Sequence, residues 1–363
     1  MKTIVVKIGT GTLVRNGVVD EAYIGQLARQ IATLHADRCR TVIVTSGAVR
    51  TGLDVIGRAR AVRLPEKQAA AAVGQSLLMR AYRRAFAEFD LHVAQLLLTR
   101  ADLDDRRRFL NARHTMAQLF KWGVVPIVNE NDTIATEEIR FGDNDTLAAL
   151  TALVAEAELV INLSDVEGFY MPGTKKAVPR IEAITPEIEA AAGGAGSIGG
   201  TGGMRTKIEA ARIAMQAGVE MVIAPGRVPD IVARVVRGDE IGTRFVPRAN
   251  LRGRKRWIAY GRHTQGTLHL NDCARSAIVE KGSSLLPIGI LNVEGRFEPG
   301  ALVTLRDSIG EYARGLTNYS SEDLARIAGL HSSKIATVLE RADFKEAIHR
   351  DNLTLTASSA AEG

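Results

Sequence analysis

Six short apolar runs, most of them rich in β-branched residues, punctuate the first 226 positions of this 363-residue chain: TIVVKIG (3–9), TVIVTSG (41–47), HVAQLLLT (92–99), VVPIV (124–128), LVINLSD (159–165) and MVIAPG (221–226). Longer stretches rich in Ala, Leu, Arg and Gln separate them at helical spacing, over 20–36, 66–89, 105–121, 144–157 and 205–217. Strands alternating with helices predict an α/β fold, a mostly parallel sheet sandwiched by helices. Several runs end in Gly, Ser, Asp or Asn. That lines small and polar groups along one edge of the sheet, where open α/β sheets bind their ligands. The texture changes after GTRFVPRANL, which reads as a domain exit. Residues 266–318 are short runs split by turns (GTLHL, GSSLLPIGI, GRFEPGALVTL, EYARGLT) and predict a small β-rich domain with little helix before about residue 321. The expected organisation is one α/β domain over 1–250, a basic linker over 251–265, a β-rich domain over 266–350 and a C-terminal tail over 351–363, fraying from 357.

Composition adds little to this picture. A hydrophobic fraction of 46% with 24% charged residues is ordinary for a globular protein. No apolar run approaches the ~18 residues of a membrane span, and the N-terminus runs straight into a strand with no signal-peptide pattern. The expected compartment is therefore the cytoplasm, with no membrane partner. Cys39 and Cys273 stand alone and far apart, so neither a metal site nor a disulfide framework is expected. The net charge of +6 is not concentrated in the C-terminal part: from Arg252 onward there are 15 Lys and Arg against 13 Asp and Glu. The strongest local run, Arg252-Gly253-Arg254-Lys255-Arg256-Trp257, reads as a solvated linker or a nucleic-acid contact.

The most informative stretch is VNENDTIATEEIRFGDNDT (128–146). Asn129-Glu130-Asn131-Asp132 follows an apolar strand, and Asp143-Asn144-Asp145 opens a helix. Carboxylates accept hydrogen bonds from an ammonium, and side-chain amides donate to a carboxylate, so such a loop can hold a small zwitterion by both ends. A surface loop with an Asp or Asn helix cap is the plainer alternative.

The phosphate-binding signals are unconventional. A Walker A loop needs Gly-Lys-Ser/Thr, and the chain has no Gly-Lys dipeptide. His349-Arg350-Asp351 resembles part of a protein-kinase catalytic loop but lacks a following Asp-Phe-Gly. Gly194, Gly196 and Gly199 have dinucleotide-fingerprint spacing but follow helical sequence instead of a strand. Lys7 is more telling, because a lysine inside a buried strand is costly unless it meets a ligand or a carboxylate. Gly9 and Gly11 behind it allow close backbone approach to a phosphate. Thr201-Gly202-Gly203-Met204-Arg205-Thr206-Lys207 is a second glycine-rich turn running into a helix, whose free amides attract phosphate. Ser46-Gly47-Ala48 and Ser164-Asp165 close the second and fifth strands. Two lysines around a zwitterion loop suggest phosphoryl transfer to a carboxylate. A side-chain carboxylate ordinarily titrates at about pH 4.3, so it is already an ionised nucleophile at neutral pH. Catalysis then rests on positioning and charge neutralisation by Lys and Mg²⁺.

VVKIGTGTL, VTSGAV, LLTRADLDDRRRFLNAR, VNENDTIAT, GDND, LSDVEGFY and GTGGMRTKIEAA follow the order seen in the glutamate 5-kinase branch of the amino acid kinase family. GSSLLPIGI, GRFEPGALV, ARGLTNYSS and RIAG resemble the PUA domain appended to many bacterial members. The resemblance covers nearly the whole chain. It implies ATP- and Mg²⁺-dependent phosphorylation of L-glutamate to L-glutamyl 5-phosphate in proline synthesis, feedback inhibition by L-proline, and a homo-oligomer, dimer or tetramer. It also implies residue roles. Lys7 and Lys207 resemble the cations on the ATP phosphates and transition state, and Asp145 the carboxylate that organises them. Ser46, Asp132 and Asn144 resemble the glutamate-binding positions. Ser164, Asp165 and the turn Thr201, Gly202, Gly203, Met204, Arg205, Thr206 and Lys207 resemble the nucleotide-binding positions. Two features depart from the pattern: Gly11 stands where the family usually has Ser, and the segment between Tyr170 and Gly193 looks short. The alternatives are another amino acid kinase, acting on N-acetylglutamate or aspartate, and a protein whose main partner is RNA, bound through the PUA-like domain. N-acetylglutamate has no free ammonium, so the acid-rich loop disfavours it.

Overall fold

The computed structural model describes residues 2–15, 18–135, 144–174, 176–193, 203–247, 264–340 and 344–356. The chain divides into two compact units, Met1–Asn250 and Leu251–Gly363.

The first unit contains strands β1 (Thr3–Ile8), β2 (Val14–Arg15), β3 (Val18–Val19), β4 (Arg40–Val44), β5 (Val93–Leu98), β6 (Val125–Glu130), β7 (Leu159–Ser164), β8 (Arg180–Ile181), β9 (Glu220–Pro225) and β10 (Thr243–Phe245). Its helices are α1 (Thr10–Leu13), α2 (Glu21–Ala36), α3 (Ala48–Val55), α4 (Leu64–Ala87), α5 (Arg100–Asp104), α6 (Arg106–Lys121), α7 (Asn144–Val154), α8 (Pro186–Ala192), α9 (Met204–Gln216) and α10 (Ile231–Arg237). Eight strands form one sheet in the order β5-β6-β4-β1-β7-β9-β10-β8. The six from β5 to β9 are parallel, while β10 runs antiparallel to β9 and β8 follows β10. A parallel strand buried on both faces reads as a nearly continuous apolar run, and β1 is buried at every position, Lys7 being its one charged residue. Ile4, Val6, Ile43, Ile127, Ile161 and Val222 carry the sheet's part of the core.

Local chemistry sets several boundaries. The side chain of Asp20 accepts from the Tyr23 N–H and starts α2. Thr99 and Asp102 cap α5 reciprocally. Gly47 (φ 96°) holds the left-handed conformation that turns β4 into α3.

The second unit has strands β11 (Gly266–Leu270), β12 (Ile290–Gly295), β13 (Leu302–Arg306), β14 (Glu311–Leu316) and β15 (Leu353–Leu355), ordered β12-β11-β13-β14-β15. It has its own core around Leu268, Val303, Leu305, Tyr312, Leu324 and Ile348. Two sequence expectations need correcting here. A helix, Asp272–Val279, interrupts the region expected to be nearly helix-free, because the Asn271 side chain caps it by accepting from the Ala274 N–H. Residues 353–355, expected in the tail, pair with β14 as the edge strand, and Leu353 is buried in the core. Of the His349-Arg350-Asp351 triplet, His349 caps a single 3₁₀ turn, Arg350–Asn352, its ring accepting from the Asp351 N–H. Of the described residues, no helix is long and apolar enough to cross a membrane.

Candidate active site

The chain leaves β1 towards β4 and leaves β7 towards β9, in opposite directions along the sheet, although β1 and β7 are neighbours. That makes a topological switch point outside the carboxyl ends of the two strands. Lys7 of β1 and Asn162 of β7 are register partners there and present their side chains on the same face.

Both side chains converge on Asp145, in the first turn of α7 and fully buried. Lys7 Nζ pairs with Asp145 Oδ1, which also accepts from Asn162 Nδ2 at 2.8 Å. Asp145 Oδ2 accepts from Thr206 Oγ1 at 3.1 Å and from Lys207 Nζ at 3.2 Å. Lys7 and Lys207 are only 3% and 5% exposed, so each needs this partner. Two ammonium groups sharing one carboxylate leave a positive surplus, preorganised for an anion. The position of Asp145 at a helix N-terminus adds further support for its charge.

A second cluster forms beside it from side-chain amides. Asn144 Nδ2 donates to the Thr45 carbonyl at 2.8 Å, to Ser46 Oγ at 2.8 Å and to Asn129 Oδ1 at 3.1 Å. Asn129 Oδ1 also accepts from the Glu130 N–H at 2.9 Å, and Asn129 Nδ2 donates to Gln75 Oε1 of α4 at 2.8 Å. Beneath it, Thr45 Oγ1 and the buried Tyr82 hydroxyl are 2.9 Å apart. Helix α4 reaches this site because α3 and α4 cross backbone to backbone. A Cβ at Gly52 would lie 1.8 Å from the Ala70 carbonyl oxygen, and one at Gly74 would lie 1.9 Å from that of Ala48. Among the described residues, Gln75 Nε2, Asn144 Oδ1, Asn162 Oδ1 and Glu130 Oε1 are buried without a hydrogen-bond partner. Each such atom costs about 1–3 kcal/mol unless a ligand or water satisfies it.

The loop after β6 adds acidity of a tunable kind. Burial, and then the neighbouring Asp132 and Asp102, push Glu130 up to about 7. Burial pushes Asp132 up to about 6. Among the described residues Asp132 makes no hydrogen bond to Ser46 or Asn144, although it shares their edge of the sheet.

On the other side of the lysines, α9 starts at Gly203 without a side-chain cap, which leaves its first amides open to an anion. Met204 is half-buried there and Arg205 exposed. Ser164, at the end of β7, donates to Asp165 Oδ1 at 3.0 Å. A Cβ at Gly11 would sit 3.8 Å from Asp165 Oδ2, so the position where the family pattern has Ser faces this carboxylate. Thr201 and Gly202 lie outside the described residues, as do Asp143, Gly194, Gly196, Gly199 and the Arg252–Arg256 run. The segment from Tyr170 to Gly193 carries the edge strand β8 and helix α8.

The structure thus brings together Lys7, Asp145, Thr206 and Lys207, and separately Ser46 and Asn144. Sequence reasoning passed over Asn162, although a polar residue inside the apolar run LVINLS is the same signal that singled out Lys7. It noted Asn129 only as part of a cluster, and nothing local marked Gln75 or Tyr82.

Comparison with known proteins identifies a family for each unit. The amino acid kinase family matches residues 2–225, and the PUA domain matches residues 266–339. A glutamate 5-kinase from Pelobacter propionicus is 47% identical over 364 residues, covering 98% of both chains. One from Moorella thermoacetica is 47% identical over 362 residues, covering 97% of this chain and 96% of its own. The structure of a Giardia carbamate kinase superposes with a TM-score of 0.50 at 16% identity, over 68% of this chain and 99% of that one, and so shares its fold. By sequence and fold, the chain belongs to the amino acid kinase family, grouped with its glutamate 5-kinase relatives and ending in a PUA domain.

Proposed function

We propose that the protein transfers the γ-phosphoryl group of ATP to the side-chain carboxylate of L-glutamate, giving L-glutamyl 5-phosphate and ADP, the first step of proline biosynthesis. The observation that carries this reading is the pair of buried lysines fixed on Asp145 beside a cluster of amides with unused hydrogen-bonding atoms. One oxygen of the glutamate side chain attacks the γ-phosphorus, and the bond to the β-phosphate oxygen breaks in line with it. No general base is needed, because the nucleophile is already ionised. The obstacle is repulsion between two anions. Lys7 and Lys207 oppose it by neutralising the phosphoryl oxygens, while Asp145 holds both ammonium groups still.

Gly203 to Lys207, with Thr201 and Gly202, cradle the nucleotide phosphates on this reading, and Ser164 and Asp165 lie on the nucleotide side. Ser46, Asn144 and Asp132 hold glutamate, with Asp132 opposite its ammonium. Mg²⁺ bound with the nucleotide would supply further positive charge to offset the repulsion between phosphate and carboxylate. Both oxygens of Asp145 already accept from other groups, so the donor set suits an ion held by nucleotide oxygens and water. Feedback inhibition by L-proline, assembly as a homo-oligomer and a cytoplasmic location complete the proposal and rest on the family relationship.

The test is a substrate panel with Mg-ATP and hydroxylamine trapping of any acyl phosphate. L-glutamate is expected to give a hydroxamate, with N-acetylglutamate and aspartate far behind. Turnover of N-acetylglutamate as fast as glutamate would overturn the assignment, because Asp132 would then have no ammonium to bind.

A further inference from the structure

Gln75 is the one member of the amide cluster contributed by α4, and its chemical orientation is determined by its neighbours. The Glu130 backbone N–H can only donate, so the Asn129 atom that receives it, at 2.9 Å, is the oxygen. The Asn129 nitrogen therefore faces Gln75 and donates, which makes the Gln75 atom at 2.8 Å its oxygen. The remaining Gln75 atom, Nε2, is a donor, buried and, among the described residues, without a partner. The same logic applies to Asn144. The Thr45 carbonyl can only accept, so the Asn144 atom beside it is the nitrogen, and Asn144 Oδ1 is left as a buried acceptor with no partner among the described residues. The two ends of one amide relay thus offer a free donor and a free acceptor. The flush α3–α4 crossing delivers the donor, because Gly74, next to Gln75, lies against the Ala48 backbone just beyond Ser46.

An amino-acid substrate presents matching groups. In the reaction proposed above, its side-chain carboxylate faces the lysines and the phosphate. Its α-carboxylate and ammonium must then lie towards the amides and Asp132. We propose that Gln75 is a specificity-determining residue whose Nε2 donates to the substrate α-carboxylate, while Asn144 Oδ1 and Asp132 receive the ammonium. The inference rests on the glutamate kinase reading and names the residue that reads the backbone end of the substrate.

Two variants separate recognition from mere support of Asn129. Gln75→Glu keeps an oxygen for the Asn129 N–H but replaces the donor with a second acceptor, which repels a carboxylate. Gln75→Met removes both interactions at similar size. If Gln75 binds the α-carboxylate, Gln75→Glu raises the KM for glutamate at least tenfold and more than Gln75→Met does, with kcat within about threefold of the parent (a tenfold change corresponds to about 1.4 kcal/mol). 4-Aminobutanoate has the ammonium and the reacting carboxylate but no α-carboxylate, and its inhibition constant against glutamate should change little in either variant. A Gln75→Glu enzyme with a glutamate KM within about twofold of the parent, or an equal loss for glutamate and 4-aminobutanoate, overturns the proposal. Failure of the parent enzyme to form any hydroxamate from glutamate is a different result, and it would refute the kinase assignment itself. Melting curves of both variants establish that they fold before the kinetics are read.

Discussion

Asp145→Asn removes one charge and almost no volume, and the structure sets out what should follow. In the parent, Asp145 accepts from Lys7 and Asn162 on one oxygen and from Thr206 and Lys207 on the other. An asparagine has one oxygen and one NH₂, so half of that donor set would face another donor. Two ammonium groups, 3% and 5% exposed, would lose the buried counter-charge they share. Breaking a buried ion pair by removing one partner costs about 3–5 kcal/mol. For a unit of this size, about 2–4 °C of Tm accompanies each kcal/mol, so the melting temperature should fall by roughly 6–20 °C. Activity should fall further than stability. The lysines would no longer be preorganised for the transferred phosphoryl group, and losing such a group costs about 10²–10³ in kcat. Thermal melting followed by the hydroxamate assay reads both effects. The double variant Asp145→Asn/Lys207→Met isolates the cause, since it removes one of the two opposing ammonium groups. It should melt above the single variant yet remain as inactive. A double variant that melts below Asp145→Asn, or a single variant within about 2 °C of the parent, would refute the account in which charge governs this site.

Three further outcomes are expected. Lys7→Ala and Lys207→Ala should each lower kcat by about 10²–10³, whereas Asn144→Ala should act mainly on the KM for glutamate; steady-state kinetics in both substrates separates these, and a lysine variant with unchanged kcat contradicts its role. Gly52→Ala should destabilise and raise the KM for glutamate together, because the added Cβ would lie 1.8 Å from the Ala70 carbonyl and force α3 off α4; an unchanged Tm would contradict the close contact. Burial raises Asp132 to about 6 and Glu130 to about 7, above unfolded values of about 4, so the native state keeps these protons longer. Their contribution to stability is full below about pH 4 and is lost as pH climbs towards 7. Substrate binding has the opposite trend, since only ionised Asp132 attracts an ammonium. The KM for glutamate should fall between about pH 5 and 7, and Asp132→Asn should flatten that profile.

The order of residues along the chain was enough to specify the parts. Apolar runs of strand length alternating with helical stretches marked the strands β1, β4, β5, β6, β7 and β9, because burial on both faces leaves a parallel strand little other choice. The same reading exposed Lys7, since a charge inside such a run demands an explanation, and it located VNEND and GDND at a strand end and a helix start. Local texture failed where pairing was remote. The edge strand Leu353–Leu355 exists only because β14 is there to receive it, and the antiparallel turn of β10 follows from its neighbour β9. The site itself depended on how those parts packed. Lys7 and Lys207 share Asp145 because the β1–β7 register, the start of α7 and the first turn of α9 converge at one switch point. Gln75 joins Asn129 across 54 positions of chain because two glycines let α3 and α4 touch. Periodicity is encoded between near neighbours and can be read from them. Which of the many polar groups meet depends on register and helix crossing, and those are settled only when the core packs.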